Sequence, residues 1–216
     1  MFDYIDGGAE DEVTLQRNSE GFGRYQLIPD TLVDVSEVNL GTSTQGVNID
    51  LPVIFSPTGA SRLFHHKGEF AVSAAAEKSG TIYTLSSMST HTIEEIGNSG
   101  KGTKWFQIYV WKDRSVVKEF IQRCKDSGYH SLCLTVDVAT LGQRERDLKN
   151  GMTIPPSFNL ASLADMALHP RWWWHVLTGP LITQANVLDK AGIGANSATS
   201  LGKYANDDIR HYCYSR

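Results

Sequence analysis

Four short apolar runs, each leading toward a stretch with helical or loop-capping signals, constrain this chain more than any other feature. They occupy residues 52–56, 81–85, 105–110 and 131–136. The first, Pro52-Val53-Ile54-Phe55-Ser56, is a short apolar run, the pattern of a strand buried on both faces of a parallel sheet. Between them lie an Ala-rich segment at 69–79 closed by Gly80, and a capping-box pattern at Thr92-Ile93-Glu94-Glu95. A third segment follows Asp113 and sets Val116, Val117, Phe120, Ile121 and Cys124 on one helical face before Gly128. Strand–helix repetition of this kind predicts an α/β fold, either a doubly wound sheet or a barrel. No G-x-G-x-x-G follows any run, so the dinucleotide fingerprint is missing. Polar residues close successive runs: Thr58, Ser86, Gln107 with Tyr109, and Thr135 with Asp137. A (β/α)8 barrel assembles its active site at those ends. The expectation is a partial TIM barrel, about four of its eight strand–helix units, with a long irregular loop region after the fourth strand.

The flanks are less regular. Residues 11–18 suit a short helix, and 25–29 and 47–49 suit short strands. After Asn150 the pattern stops. Residues 151–200 read as irregular, with helical character only near 160–168, and 157–200 as poorly packed or mobile. They contain the cluster Trp172-Trp173-Trp174, which fits either a membrane-interface anchor or a loop packed on the barrel rim. Residues 207–216 match no strand or cap pattern.

Composition excludes several classes. The net charge is −4 and no long basic run occurs, which argues against nucleic acid as a partner. Three cysteines, Cys124, Cys133 and Cys213, form no C-x-x-C pair, so neither a disulfide framework nor a metal site is expected. A cytoplasmic location fits, peripheral to the inner face of the membrane if the Trp cluster touches lipid. No basic leader opens the sequence, and no run reaches the roughly 20 apolar residues of a spanning helix.

Several ordered motifs carry a resemblance. They are Tyr4-Ile5-Asp6-Gly7-Gly8-Ala9-Glu10-Asp11-Glu12, Leu51-Pro52-Val53-Ile54-Phe55-Ser56-Pro57-Thr58-Gly59, Thr84-Leu85-Ser86-Ser87, Trp105-Phe106-Gln107-Ile108-Tyr109-Val110, Leu134-Thr135-Val136-Asp137 and Gly142-Gln143-Arg144-Glu145-Arg146-Asp147. Together they resemble the FMN-dependent α-hydroxy-acid dehydrogenases, the family of glycolate oxidase, L-lactate dehydrogenase and mandelate dehydrogenase. The resemblance runs from Tyr4 to about Asn206, which suggests one domain at 1–206 and a non-matching tail at 207–216.

The resemblance implies FMN as cofactor and a small 2-hydroxy acid as substrate. Pro57, Thr58 and Gly59 would line the flavin ring with backbone groups. Ser86, Gln107 and Thr135 would hydrogen-bond its edge. Tyr4, Tyr109 and Arg144 would bind the substrate, with Tyr109 and Asp137 serving catalysis, Asp137 by orienting a histidine. Oxidases of the family usually carry Ala where this chain has Gly59, and glycolate oxidases carry Trp where it has Met88. His169-Pro170-Arg171-Trp172 resembles a loop of the membrane-associated enzymes. A lactate or mandelate type is therefore implied, and full-length relatives are expected to be homo-oligomers.

Two departures qualify this. The family's helix before Tyr4 is not in this sequence. Nor is the half that carries the flavin-stabilising Lys, the FMN phosphate site, and the catalytic His and Arg of an S-N-H-G-G/A-R-Q motif. None of the seven histidines, His65, His66, His91, His130, His169, His175 and His211, sits in such a motif. The expectation is a fragment of an FMN-dependent oxidoreductase, inert by itself; the alternative is a non-catalytic half-barrel or interaction protein. Without the resemblance the same residues have plainer roles. Arg144 is then a solvated charge on a loop of alternating sign, Tyr109 a core residue, Gln107 a partner for backbone, and Asp137 a helix N-cap. Clamping a carboxylate nonetheless calls for a bidentate arginine, and Arg144 is the one that the resemblance supports.

Overall fold

A computed structural model of the chain describes residues 5–136, 142–149, 167–180 and 182–187. It divides into two compact units, Met1–Asn39 with Leu141–Asn159, and Leu40–Thr140 with Leu160–Arg216.

The first unit contains helix α1 (Val13–Phe22), which begins and ends later than the expected 11–18. Glu12 precedes it with a left-handed backbone, and its carboxylate turns back to accept the Gly8 N–H at 3.0 Å instead of capping the helix. Residues 25–29 form no strand, contrary to expectation, and Tyr25, Leu27 and Ile28 are exposed. The segment has strand-forming side chains but no pairing partner among the described residues, and β-propensity expresses fit to a paired, half-buried surface. A short helix lies at Glu145–Lys149. Arg146 just inside it pairs with Asp6 at 2.9 Å and with Glu12, while the Glu10 N–H donates to the Gln143 carbonyl at 2.6 Å.

The second unit opens with an antiparallel hairpin, β1 (Thr42–Thr44) and β2 (Val47–Ile49). Residues 47–49 were expected as a strand; their partner was not. The signal was the two-residue loop Gln45-Gly46, both with positive φ, the geometry that suits hairpin twist. Three parallel strands follow, β3 (Tyr83–Ser86), β4 (Lys104–Tyr109) and β5 (Ser131–Thr135), in the order β3-β4-β5. All three fall where the apolar runs predict. The first expected strand does not form. At 52–56 only Phe55 bridges Tyr83, its N–H donating to Ile82 O and its carbonyl accepting from Thr84 N, each at 3.0 Å. Pro52 removes a donor at the start of that run, and a short segment with one neighbour forms few ladder bonds.

The helices between strands are α2 (Gly68–Lys78), α3 (Ile93–Gly97) and α4 (Arg114–Asp126). Their sequence punctuation is realised. Thr92 and Glu95 form the reciprocal capping box at 3.1 and 2.8 Å, and Asp113 accepts the Ser115 N–H at 2.8 Å. Gly80 has positive φ, and a Cβ there would fall 2.0 Å from the Asp50 carboxylate, so only glycine fits. The core joins Val116, Phe120 and Cys124 of α4 to Leu85, Phe106 and Ile108 of the sheet, with Phe106 edge-on to Phe120 and Tyr129.

Two segments depart from the irregular region expected at 151–200. Pro170–Thr178 is a helix, here α5, with proline in its first turn, a position that proline favours. The segment 182–187 is anchored: Val187 belongs to the core and Asn186 is buried. The boundary at 206/207 lies outside the described residues. Among the described residues no helix is long and apolar enough to cross a membrane.

Candidate functional site

In-register neighbours of a parallel sheet share a face, and side chains alternate along each strand. The pairing of Leu85 with Phe106 and of Phe106 with Leu132 puts one set on the helix-packed face. The pairing of Ser86 with Gln107 and of Tyr109 with Thr135 puts the other set on the opposite face, near the C-terminal ends of the strands. Strand period therefore separates the core residues from the polar candidates.

Gln107 is the hub of that polar face. Its Oε1 accepts from Ser86 Oγ at 3.4 Å and from both the N–H and the hydroxyl of Ser87 at 3.2 Å. Its Nε2 donates to Thr135 Oγ1, so the carboxamide links all three strands. Ser86, Ser87 and Gln107 are buried. Ser86 Oγ accepts in turn from the Met88 N–H at 3.1 Å. The structure thus brings Ser86, Gln107 and Thr135 together, with Ser87 as a member that the sequence did not single out.

The loop after Phe55 stands beside the loop after β3. The Ala60 N–H donates to the Met88 carbonyl at 3.1 Å, and a Cβ built on Gly59 would lie 3.2 Å from Met88 Cβ. Gly59 and Met88, the two positions that separate oxidase-like from dehydrogenase-like sequences in the resemblance, are therefore neighbours. Pro57 is half-buried, Thr58 is exposed, and the Thr58 carbonyl accepts from Ser61 Oγ at 3.3 Å.

A residue that the sequence analysis passed over holds these two loops together. Glu69 in the first turn of α2 is fully buried. Its carboxylate accepts from the Ser61 N–H (3.3 Å), the Thr90 N–H (2.8 Å) and the Thr90 hydroxyl (2.6 Å), and it meets His91 Nδ1 at 2.6 Å. Burial alone would push its pKa up, but the hydrogen bonds from His91 and Thr90 outweigh it and hold the group down to about 2. The sequence signal was a Glu on the Ala-rich face of a helix, where an acid is rarely buried without partners.

The remaining candidates are placed differently. Tyr109 ends β4 on the Gln107 face, partly buried and in contact with the edge of the core. Arg144 belongs to the first unit, where its Nε donates to Asp147 Oδ2 at 2.5 Å. Tyr4 and Asp137 lie outside the described residues. The tryptophan cluster is not a uniform patch: Trp172 is half-buried with its Nε1 donating to Leu63 O at 2.9 Å, while Trp174 is 68% exposed. Among the described residues no group of histidine, cysteine and acidic side chains could hold a metal ion.

Glycolate oxidase 5 of Oryza sativa subsp. japonica is 40% identical over 168 residues, 78% of this chain and 46% of its own length. Glycolate oxidase 1 of Zea mays is 41% identical over 167 residues, 77% of this chain and 45% of its own. The crystal structure of the monotopic membrane protein (S)-mandelate dehydrogenase superposes with a TM-score of 0.88 at 33% identity, covering 96% of this chain and 55% of that one. The chain thus spans about half the length of the relatives it matches. The description of the FMN-dependent dehydrogenases matches residues 1–211, and the chain belongs to that family.

Proposed function

We propose that this chain supplies the ring-contacting part of an FMN-dependent enzyme that oxidises an L-2-hydroxy acid to the 2-oxo acid. The observation that carries the proposal is the hydrogen-bonded row Ser86–Gln107–Thr135 across the ends of three adjacent parallel strands. In this reading the sheet is about half of a (β/α)8 barrel, whose strand ends build the site.

The residues fit a flavin ring on chemical grounds. The row offers hydroxyl and carboxamide groups without formal charge, which suits the mixed donor and acceptor edge of a flat heterocycle. At Gly59 a bare backbone remains where a side chain would crowd Met88. Pro57, Thr58 and Gly59 would then lie along the ring, and Ser86, Gln107 and Thr135 along its edge. Bound FMN supplies the acceptor for the electrons leaving the substrate. Tyr109, Tyr4 and Arg144 would bind substrate, and Asp137 would orient a base. No histidine of this sequence sits in the S-N-H-G motif expected of that base. General base catalysis contributes about 10²–10⁴ in rate, so the chain alone should not turn over.

The identities of Gly59 and Met88, where the resemblance has Ala in oxidases and Trp in glycolate oxidases, support a lactate or mandelate type over a glycolate type. Exposed Leu168, Trp174 and Leu177 support peripheral contact with a membrane. One observation favours the alternative of a non-catalytic half-barrel. Among the described residues β5 pairs only with β4, and its Leu132 and Leu134 are 44% and 55% exposed, an uncovered strand of the kind that invites pairing.

The test is titration of FMN into the purified chain, followed by flavin fluorescence, then anaerobic addition of L-lactate or (S)-mandelate. Quenching that weakens in Gln107→Leu, without bleaching by either acid, is the expected result. Quenching no stronger than with denatured chain would remove the ring-binding assignment, and bleaching would show that the chain contains its own base.

A further inference from the structure

A second cluster of chemistry-bearing side chains lies apart from the Gln107 row. His65, His66, His169, Arg171, Trp172 and His175 line much of an open surface pocket of about 480 Å³ on the second unit. The His66 ring lies between two others, 4.4 Å from the centroid of His65 and 4.1 Å from that of His175, the latter stacked with an 11° interplanar angle. No carboxylate is among the lining residues. The walls are held in place by two hydrogen bonds from outside the imidazole cluster, Trp172 Nε1 to Leu63 O and Arg62 Nη2 to Pro180 O.

Such a cluster repels itself when protonated. His66 faces His65 and Lys67 from its own segment, and His175 and Arg171 from α5. Desolvation first, then these positive neighbours, hold its imidazole below its ordinary value. An anion in the pocket would reverse that balance. Imidazolium and guanidinium groups present many N–H donors to a multi-oxygen anion, and charge-assisted bonds to such an anion are the strong ones. The volume is that of a small-ligand site rather than a single-ion site, and Phe64, Leu168 and Trp172 add apolar wall for an organic body.

We propose that this pocket binds the phosphoryl oxyanion of a phosphate ester, held by His66, His175 and Arg171 with affinity that rises as pH falls through the imidazole range. The linkage follows from charge. A dianion raises the pKa of the imidazoles it touches, so binding takes up protons and weakens as pH climbs. Both a soluble phosphate ester and a lipid headgroup present this chemistry.

Calorimetry of the full chain with inorganic sulfate, which stays dianionic throughout, isolates the protein's titration. Sulfate should bind at about pH 5.5 and at least about tenfold more weakly at about pH 8. His66→Gln combined with His175→Gln should weaken the pH dependence markedly, with only His65 and His169 left in the lining, while far-UV circular dichroism shows an intact fold. Arg171→Ala alters an exposed side chain and should weaken binding by about tenfold with unchanged thermal stability, and it carries the test if the double variant misfolds. Sedimentation with phosphatidic-acid vesicles against phosphatidylcholine vesicles distinguishes the sources. Competition between sulfate and the acidic vesicles indicates a headgroup, and sulfate binding without sedimentation indicates a soluble ester. Absence of sulfate binding at about pH 5.5, or binding indifferent to the variants, would overturn the assignment.

Discussion

The Glu69 carboxylate meets Nδ1 of His91 at 2.6 Å inside a pocket closed by Thr90, and so ties the start of α2 to the loop after β3. Because Glu69 also receives the Ser61 N–H, it fixes the loop that carries Pro57, Thr58 and Gly59. Its pKa is held to about 2 from an ordinary 4.5, so its contribution is complete above about pH 4.5 and is lost as pH falls toward 2. A shift of this size corresponds to about 3 kcal/mol. Urea midpoints over an acid pH series should show that loss in the native chain. Glu69→Gln should be about 3 kcal/mol less stable at neutral pH and should lack that part of the acid slope. An unchanged slope would mean that Glu69 is not the group responsible.

Gln107→Leu removes the acceptor of Ser86 Oγ, Ser87 N–H and Ser87 Oγ together, and the donor to Thr135. Buried polar groups left unpaired cost about 1–3 kcal/mol. Chemical denaturation should report a loss in that range, with faster amide exchange at Ser87 than in the native chain. A neutral result would mean that water replaces the carboxamide without cost.

Asn186 is the anchor of the segment 182–187. Its Oδ1 accepts from the Ile93 N–H at 3.0 Å and from Arg123 Nη2 at 3.1 Å, and its Nδ2 donates to Ser89 Oγ at 2.9 Å. Asn186→Ala should cost about 1–3 kcal/mol and open the segment to limited proteolysis, because the first turn of α3 loses a partner for its amide. Resistance to protease equal to that of the native chain would count against the anchor.

The described cysteines should separate by reactivity. Burial pushes the Cys124 thiol up to about 12, whereas Cys133 is exposed on the outer strand. The thiolate is the reactive form, so alkylation of the folded chain at about pH 8 should label Cys133 and spare Cys124 until the chain unfolds. Peptide mass spectrometry reads the ratio directly, and equal labelling would show that α4 does not seat its Cys124 face.

Local rules made much of the fold legible. Short runs rich in β-forming residues marked β3, β4 and β5. Thr92 with Glu95, Asp113 and Gly80 marked helix ends, because capping and left-handed backbone depend on neighbours a few residues away. Where a partner distant in sequence was needed, the local pattern failed. Residues 25–29 have strand chemistry but pair with nothing among the described residues. Residues 52–56 hold a single bridge. The Gln45-Gly46 turn was the overlooked sign of β1. Pro170 at a helix start was the overlooked sign of α5.

The candidate site divides along the same line. Strand period in the sequence already put Ser86, Gln107 and Thr135 near strand ends, and the family motifs named them. That Gln107 bonds to both neighbouring strands is a matter of register, which only the paired sheet decides. Glu69 shows the difference most plainly. As a residue in a chain it is an acid on an Ala-rich helix. It becomes a fastening between two loops only because folding excludes water around it and brings Ser61, Thr90 and His91 within hydrogen-bonding distance. The sequence by itself determined strands, caps and family, because those depend on short-range pattern. Burial, register and the pairing of charges were decided by the tertiary structure, because they depend on which distant groups share the same dry space.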